Sequence, residues 1–471
     1  MKREYCGIVG IYSKKKEYLS EVLYLSLFSL QHRGQEAVGV VVFNGIGVTF
    51  HKDFGLVKEV LNKEVLQRLK GYVGIGHTRY STVGDSRNFS NIQPLLVSYE
   101  KGFAALAHNG TLTNYREVRS ELEKRGYVFH STTDSEILLY LFVSESESDI
   151  PERVRNIYRR VKGAYSTIVL VNDVLVFFKD PWGFRPLVYG ENKDYIMVAS
   201  ETAALKQAGI VEFKELEPGE VGIISNGKLE ILKVFETEKK EQCVFELIYF
   251  SRPDSNSFGF NVYNFRKECG RELARREDRE IDIVVPVPDS GVPASVGYSE
   301  KSGKPLEFGL MRSHFSGRSF IEPRDRETKV KMKLIPIREV IEGKRIALID
   351  DSLVRGTTSK EIVKLLKQNG AKEVHLRFAS PPIVAPCFFG IDIPTKEELL
   401  ASSFNLQELA EYLGADSIKY LPISSLKGIL GEKSSEFCFA CFTGSYNPAC
   451  VSTEILEIFS NYHPKILEEV G

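Results

Sequence analysis

Two styles of hydrophobic patterning divide the chain near residue 240. Before that point apolar stretches are short and broken by turns, as in VLVFFKD (174–180), YIMVAS (195–200) and VGIISNGKLEIL (221–232). Runs of this length between turn residues predict strands. Helices are expected at about 17–30 and 134–143. The second has a start signal: Thr133, with Glu136 three residues later, forms a capping box ahead of ILLYLF.

After residue 240, strands alternate with helices. IDIVVPV (281–287) is a continuous apolar run that ends in a Pro-Asp-Ser-Gly turn. RIALID (345–350) leads into DSLVRGTT, then the helical pattern SKEIVKLLKQNG with Gly370 as its C-terminal cap, then the strand EVHLRFAS. This β-α-β rhythm predicts a parallel sheet with ligands at the carboxyl ends of its strands. SESESD (144–149) and ETEKKEQ (236–242) lack apolar period and read as solvent-exposed connections. The last stretch, about 415–471, is expected to be loop and helix packed back on the body.

Composition narrows the class. A chain of 471 residues implies two or three domains. Hydrophobic residues at 43% and charged residues at 27% are an ordinary globular balance. A net charge of −1 gives no global basic field for nucleic acid. No apolar run reaches membrane-spanning length, and MKREY is too short and polar for a signal peptide. A cytoplasmic enzyme is the default expectation, with no nucleic acid and no membrane as partners.

The sharpest chemistry is IALIDDSLVRGTTS (346–359). A buried strand delivers two carboxylates, Asp350 and Asp351, and a short loop then presents Ser352, Arg355, Gly356, Thr357 and Thr358 at a helix start. Glycine permits close backbone approach, hydroxyls donate, and a helix N-terminus favours an anion. One loop can thus hold a phosphate at one end and polyol hydroxyls or a Mg²⁺-linked group at the other. Ordinary threonine capping of a strand–turn–helix leaves the adjacent acids unexplained. The turn PVPDSGVPAS (286–295), with Asp289, Ser290 and Gly291 at its centre, is a weaker phosphate-loop signal. RSHFSGRSFIEPRDRETKVKMK (312–333) is long, basic and aperiodic. It reads either as a solvated loop or as a lid that closes over an anionic substrate.

At the other end, Cys6 precedes the apolar run GIVGI. A thiol needs a base, and a cysteine at a free N-terminus can use its own α-amine, whose ordinary pKa is near ~8. Removal of Met1–Tyr5 would free that amine. The alternative is an unprocessed chain in which Cys6 is one buried residue of a first strand. Downstream lie GHTRYSTVG (76–84), AHNGTLTN (107–114) and STTDSE (131–136). Asn109 and Gly110 can supply a side-chain amide and a backbone N–H to an oxyanion, Arg79 can hold a carboxylate, and Asp134 an ammonium. Those groups describe a site for an amino acid whose side-chain amide is attacked by a thiolate.

Of the other cysteines, Cys269 and Cys450 read as small buried hydrophobes. Cys243, Cys387, Cys438 and Cys441 remain, the last two as C-x-x-C. Spacing alone leaves a redox pair, half a zinc site and a buried [4Fe–4S] cluster open.

CGIVG, QHRGQE (31–36), TRYST (78–82), HNG and TTDSE, in that order, resemble the N-terminal nucleophile glutamine amidotransferases. IALIDDSLVRGTTS resembles the 5-phosphoribosyl-1-pyrophosphate (PRPP) motif of type I phosphoribosyltransferases. Together they resemble the amidophosphoribosyltransferase family. Its propeptide- and iron–sulfur-containing subgroup matches at QCVFELIYFSRPDS, APCFFGIDIPT and FCFACFTG.

The resemblance implies an α+β N-terminal nucleophile sandwich (α/β/β/α) over 6–235, behind a 1–5 propeptide. An α/β phosphoribosyltransferase domain with a parallel sheet follows over 243–415, then a C-terminal extension over 416–471. It implies Cys6 as nucleophile and base, Asn109 and Gly110 as oxyanion hole, and Arg79 and Asp134 as glutamine ligands, with His77 and His108 structural. PRPP falls to Asp289, Ser290, Gly291, Asp350, Asp351, Ser352, Arg355, Gly356, Thr357 and Thr358, with Ser290, Asp350 and Asp351 near Mg²⁺. It favours the lid for 312–333 and assigns the four cysteines to a structural [4Fe–4S] cluster. Purine nucleotides as feedback inhibitors and a homotetramer are further expectations. Two other readings are a non-catalytic PRPP- or nucleotide-binding regulator and a phosphoribosyltransferase that uses free ammonia.

Overall fold

The computed structural model describes residues 5–80, 88–237, 239–313, 334–391, 393, 395–459, 462 and 464–470. Residues 1–4 of the expected propeptide and 314–333 of the expected lid lie outside the described residues.

The N-terminal half contains two antiparallel sheets. In chain order the strands are β1 (Tyr5–Ser13), β2 (Ala37–Phe43), β3 (Val48–Phe54), β4 (Val73–Tyr80), β5 (Leu95–Tyr99), β6 (Gly102–Leu112), β7 (Gly163–Val171), β8 (Val174–Lys179), β9 (Val188–Glu191), β10 (Tyr195–Ala199), β11 (Phe213–Glu215), β12 (Glu220–Ser225) and β13 (Lys228–Lys233). One sheet runs β11-β9-β10-β1-β4-β2-β3 and the other β13-β12-β8-β7-β6-β5.

Alternation along the strands sets the layers. Ile8 and Tyr12 of β1 share one core with Ala105 and Ala107 of β6 and Ile168 and Leu170 of β7, so these residues fill the space between the sheets. Val9 and Ile11 point the other way, against Leu23 and Leu27 of α1 (Ser20–Ser29). Leu106 and Leu112 of β6 pack outward against Leu138 and Phe142 of α2 (Ser135–Ser144). Helices therefore cover both outer faces, which makes the α/β/β/α sandwich expected.

The second half carries a parallel sheet of Ile283–Pro286, Arg345–Asp350, Glu373–Phe378 and Ser417–Tyr420, in that spatial order. Its first two strands are apolar on both faces, whereas Glu373–Phe378 is apolar on one face and carries buried His375 and Arg377 on the other. Cys243 pairs with Cys438 in a short parallel bridge, so the C-terminal tail returns to the start of this domain.

Three expectations change. The stretch after 415 is not only loop and helix, because Ser417–Tyr420 is the fourth strand of the parallel sheet. The domain therefore runs past 415. The first helix is shorter than 17–30, at Ser20–Ser29. The capping box does not form: Asp134 is the N-cap of α2, and Glu136 instead accepts from the backbone N–H groups of His130 (2.9 Å) and Ser131 (2.8 Å). Among the described residues no helix is long and apolar enough to cross a membrane.

Candidate active sites

The same alternation that builds the sandwich aims the first site. Cys6 is two residues before Ile8, so its side chain faces the gap between the sheets. In the β1–β4 ladder, Cys6 is directly opposite Arg79 and Ile8 is opposite His77. Directly opposed residues share a face, which puts Arg79 on the thiol's side. On the other sheet Phe103, Ala105 and Ala107 face the gap, and Asn109 continues that register. Cys6 and Arg79 on one sheet and Asn109 on the other therefore lie on facing inner surfaces.

Arg79 is 1% exposed, and none of its three guanidinium nitrogens has a hydrogen-bond partner among the described residues. The buried Nδ2 of Asn109 is also unpartnered. Buried polar groups are nearly always satisfied, so two orphaned donor sets beside a thiol mark a place for a carboxylate and an oxyanion. Gly110 has φ +149°, and a Cβ there would lie 2.0 Å from the carbonyl oxygen of Ala164. Only glycine fits this backbone path. Asp134 is buried at the N-terminus of α2, and its Oδ2 accepts from the Leu112 N–H at 2.8 Å. Burial pushes its carboxyl up to about 6.

His77 and His108 are both fully buried, and burial lowers each to about 3. They are neutral near pH 7 and poor bases. His108 Nδ1 lies 2.9 Å from Ser135 Oγ, a packing role that fits the structural expectation.

The second site lies where the first two parallel strands end. Val287 N–H donates to the Ile349 carbonyl at 2.9 Å, which brings the 286–295 turn beside the acid pair. Ser290 Oγ donates to Asp350 Oδ1 at 3.4 Å, and Ser352 Oγ donates to Asp351 Oδ2 at 2.5 Å. Burial, then the neighbouring Asp351, raises Asp350 well above the ordinary carboxyl range. Two carboxylates in contact ask for a cation or for hydroxyl donors. A Cβ on Gly291 would lie 2.3 Å from the Ile349 carbonyl oxygen, so glycine allows the close approach. Gly356, at φ +66°, opens the helix Thr357–Gln368. Thr357 and Thr358 sit in its first turn, as a phosphate cradle requires. Arg355 is partly exposed and donates to Glu398 at 2.8 Å, while Asp289 pairs with Arg312.

Cys243, Cys387, Cys438 and Cys441 line one cavity with Phe184, Phe245, Phe389, Ile391 and Ala440. Burial pushes Cys243 up to about 12 and raises Cys438 and Cys441 well above the ordinary thiol range. Among the described residues, no three His, Cys, Asp or Glu side chains converge as a single metal ion needs. Cys269 and Cys450 are buried and do not line this cavity.

Comparison with known proteins agrees with this layout. A glutamine amidotransferase domain model matches residues 77–207. The amidophosphoribosyltransferase of Methanocaldococcus jannaschii is 43% identical over 94% of this chain and 97% of its own length. The chloroplastic enzyme of Vigna aconitifolia is 44% identical over 94% of this chain and 91% of its own. The chain belongs to the amidophosphoribosyltransferase family. A solved family structure, the Bacillus subtilis glutamine PRPP amidotransferase complexed with ADP and GMP, superposes with TM-score 0.89 at 39% identity, covering 98% of this chain and 100% of that one. An amidophosphoribosyltransferase moves the amide nitrogen of glutamine to PRPP, giving 5-phosphoribosylamine, pyrophosphate and glutamate. This is the first committed step of purine nucleotide synthesis.

Sequence reasoning gave no role to several residues that this amidophosphoribosyltransferase brings to its sites. Arg33, inside QHRGQE, donates to the Cys6 carbonyl at 3.2 Å. Glu246 and Tyr249 lie on the π-helical turn Glu246–Phe250. Partial burial, then the charges of Asp351 and Asp350, raises the Tyr249 hydroxyl above its ordinary range although the side chain is 46% exposed, and Tyr80 acts on it too. Arg266, buried, donates to the Leu247 (2.9 Å) and Ser251 (2.7 Å) carbonyls and lines a small cavity with Ser290, Cys269 and Asp351. The available signal was the unusual density of charge and aromatics in VFELIYFSRPD.

Proposed function

We propose that this chain runs the family's reaction with Cys6 as nucleophile, Asn109 and Gly110 as oxyanion hole, and Arg79 and Asp134 as glutamine ligands. The observation that carries it is Arg79: a buried guanidinium directly opposite Cys6, with no hydrogen-bond partner among the described residues. With Met1–Tyr5 removed, the Cys6 α-amine takes the thiol proton. The thiolate adds to the glutamine amide carbonyl, and the oxyanion is held by Asn109 Nδ2 and the Gly110 N–H. Collapse expels ammonia, which carries the proton away, and water then hydrolyses the thioester to glutamate. At the second site ammonia displaces pyrophosphate from C1 of PRPP, with the 5-phosphate on the Ser352–Thr358 loop.

Ser290, Asp350 and Asp351 fit Mg²⁺, because two adjacent carboxyls and a hydroxyl form an oxygen donor set of the kind a hard cation takes. Bound with PRPP, the ion would neutralise charge on the leaving pyrophosphate. The four thiols line one cavity and would hold a [4Fe–4S] cluster, as the resemblance to the iron–sulfur subgroup implies. Such a cluster would pin the C-terminal tail to the 243 region and make the enzyme oxygen-sensitive. A cytoplasmic homotetramer regulated by purine nucleotides completes the reading, and the nucleotide-bound relative supports the last part.

The experiment compares glutamine-dependent with ammonia-dependent phosphoribosylamine formation, wild type against Cys6→Ala. The variant should lose the first and keep the second. Equal loss of both would sink the two-site reading. Intact mass of protein made without oxygen should lack Met1–Tyr5.

A further inference from the structure

A buried chain of ionic contacts runs from the nucleophile to the four-thiol cavity. Arg33 Nε donates to the Cys6 main-chain carbonyl at 3.2 Å. Its Nη1 and Nη2 donate to Glu246 Oε2 (3.0 Å) and Oε1 (2.6 Å), and Nη1 also reaches Glu201 Oε1 (2.6 Å). Arg185 Nη1 donates to Glu246 Oε1 at 3.0 Å. Its Nε and Nη2 donate to the Phe389 carbonyl at 3.1 and 2.7 Å. Phe389 N–H in turn donates to Cys387 Sγ at 3.3 Å. Arg33, Glu201, Arg185 and Glu246 are each 2% exposed or less.

Glu246 is the centre of this chain and its sole carboxylate from the second domain. Ser251 Oγ adds a third donor residue at 3.1 Å. Burial opposes its charge, but Arg33 and Arg185 outweigh that and hold the carboxyl below its ordinary range. The carboxylate also separates two guanidinium groups that would otherwise repel each other. With it neutral, Arg33 keeps only Glu201 as anionic partner. Its grip on the Cys6 carbonyl then loosens. That carbonyl sits beside the α-amine and thiol whose mutual geometry makes the nucleophile.

We propose that Glu246 is a positioning residue for glutamine hydrolysis, acting through Arg33 on the main chain of Cys6; this rests on the reading of Cys6 given above. It follows that the domain bearing the PRPP loops and the thiol cavity sets the alignment of a nucleophile in the other domain, through one carboxylate.

The test uses the full-length enzyme purified without oxygen, as wild type, Glu246→Gln and Glu246→Asp. The readings are kcat and KM for glutamine hydrolysis, ammonia-dependent synthesis, and the rate at which an electrophilic glutamine analogue alkylates Cys6. Glu246→Gln should lower kcat and the alkylation rate by about tenfold or more, move KM by less than about threefold, and leave ammonia-dependent synthesis within about twofold. Glu246→Asp, which keeps the charge, should recover part of the loss. Unchanged glutamine kcat, or equal loss in both reactions, overturns the proposal. If Glu246→Gln does not fold, Ser251→Ala is read the same way: a fall confined to the glutamine reaction supports it, and no change overturns it. A wild type without glutamine hydrolysis is seen on its own, and it overturns the reading of Cys6 and this proposal together.

Discussion

Cys6 and Arg79 are cross-strand partners, opposite each other in the β1–β4 ladder and both turned into the gap between two sheets. Cys6 is the proposed nucleophile, and Arg79 is a buried positive charge with no protein partner among the described residues. A guanidinium left this way is a stability cost that folding alone does not explain. Its compensation arrives with an anionic ligand.

That cost gives a prediction with opposite signs for stability and function. Arg79→Met should leave the ligand-free Tm unchanged or raise it, since it removes an unpaired buried charge. It should also cost about 3 kcal/mol or more of glutamine recognition, roughly a hundredfold or more in kcat/KM for glutamine. Ammonia-dependent synthesis should persist. A lowered Tm with normal glutamine kinetics would assign Arg79 to the fold instead.

As the proposed ligand of the substrate ammonium, Asp134 should make glutamine binding depend on pH. Its carboxyl is raised to about 6, chiefly by burial, and only the ionised form attracts the substrate ammonium. Above pH 6 the site is charged and binding is full. Below it, affinity should fall by about tenfold per pH unit as the proton binds. Calorimetry of glutamine binding to Cys6→Ala, which cannot turn over, reads this directly between pH 7 and 5. Asp134→Asn should bind weakly and without that slope, and a sloping Asn variant would move the titration to another group.

The acid pair carries a related prediction. Asp350 is raised because burial and Asp351 both oppose its charge. Asp351→Asn should therefore leave the ligand-free protein as stable or more so. Both the glutamine- and ammonia-dependent reactions should fall by about tenfold or more, because both nitrogen sources use one sugar site. Normal ammonia-dependent activity would displace the pair from the PRPP site.

Local pattern made much of this legible. The period of two in β1 and β6 places Cys6 and Asn109 on inner faces, and the apolar run before Asp350 ends where a ligand-binding loop must begin. What stayed hidden depends on distance in the chain or on competition among partners. Arg33 meets Glu246 across 213 residues, a pairing no local window reveals. Thr133 and Glu136 have the spacing of a capping box, but the N–H groups of His130 and Ser131 claim the Glu136 carboxylate. The strand Ser417–Tyr420 is only four residues long, and it is held by its neighbour Glu373–Phe378 rather than by its own propensity.

The four-thiol cavity gives the last prediction. Protein prepared without oxygen should contain about four irons and four sulfides per chain, with broad visible absorbance. Binding requires thiolates, yet burial pushes Cys243 up to about 12 and raises Cys438 and Cys441 well above the ordinary range. Cluster formation must then release protons, so affinity should rise with pH and loss should be fastest in acid. Cys441→Ser should lose the absorbance and lower Tm, because the strand pair Cys243–Cys438 and the tail behind it lose their cross-link. One zinc per chain with no sulfide would instead show that the thiols draw together on a single ion, and the cavity they line would then be a feature of the metal-free state alone.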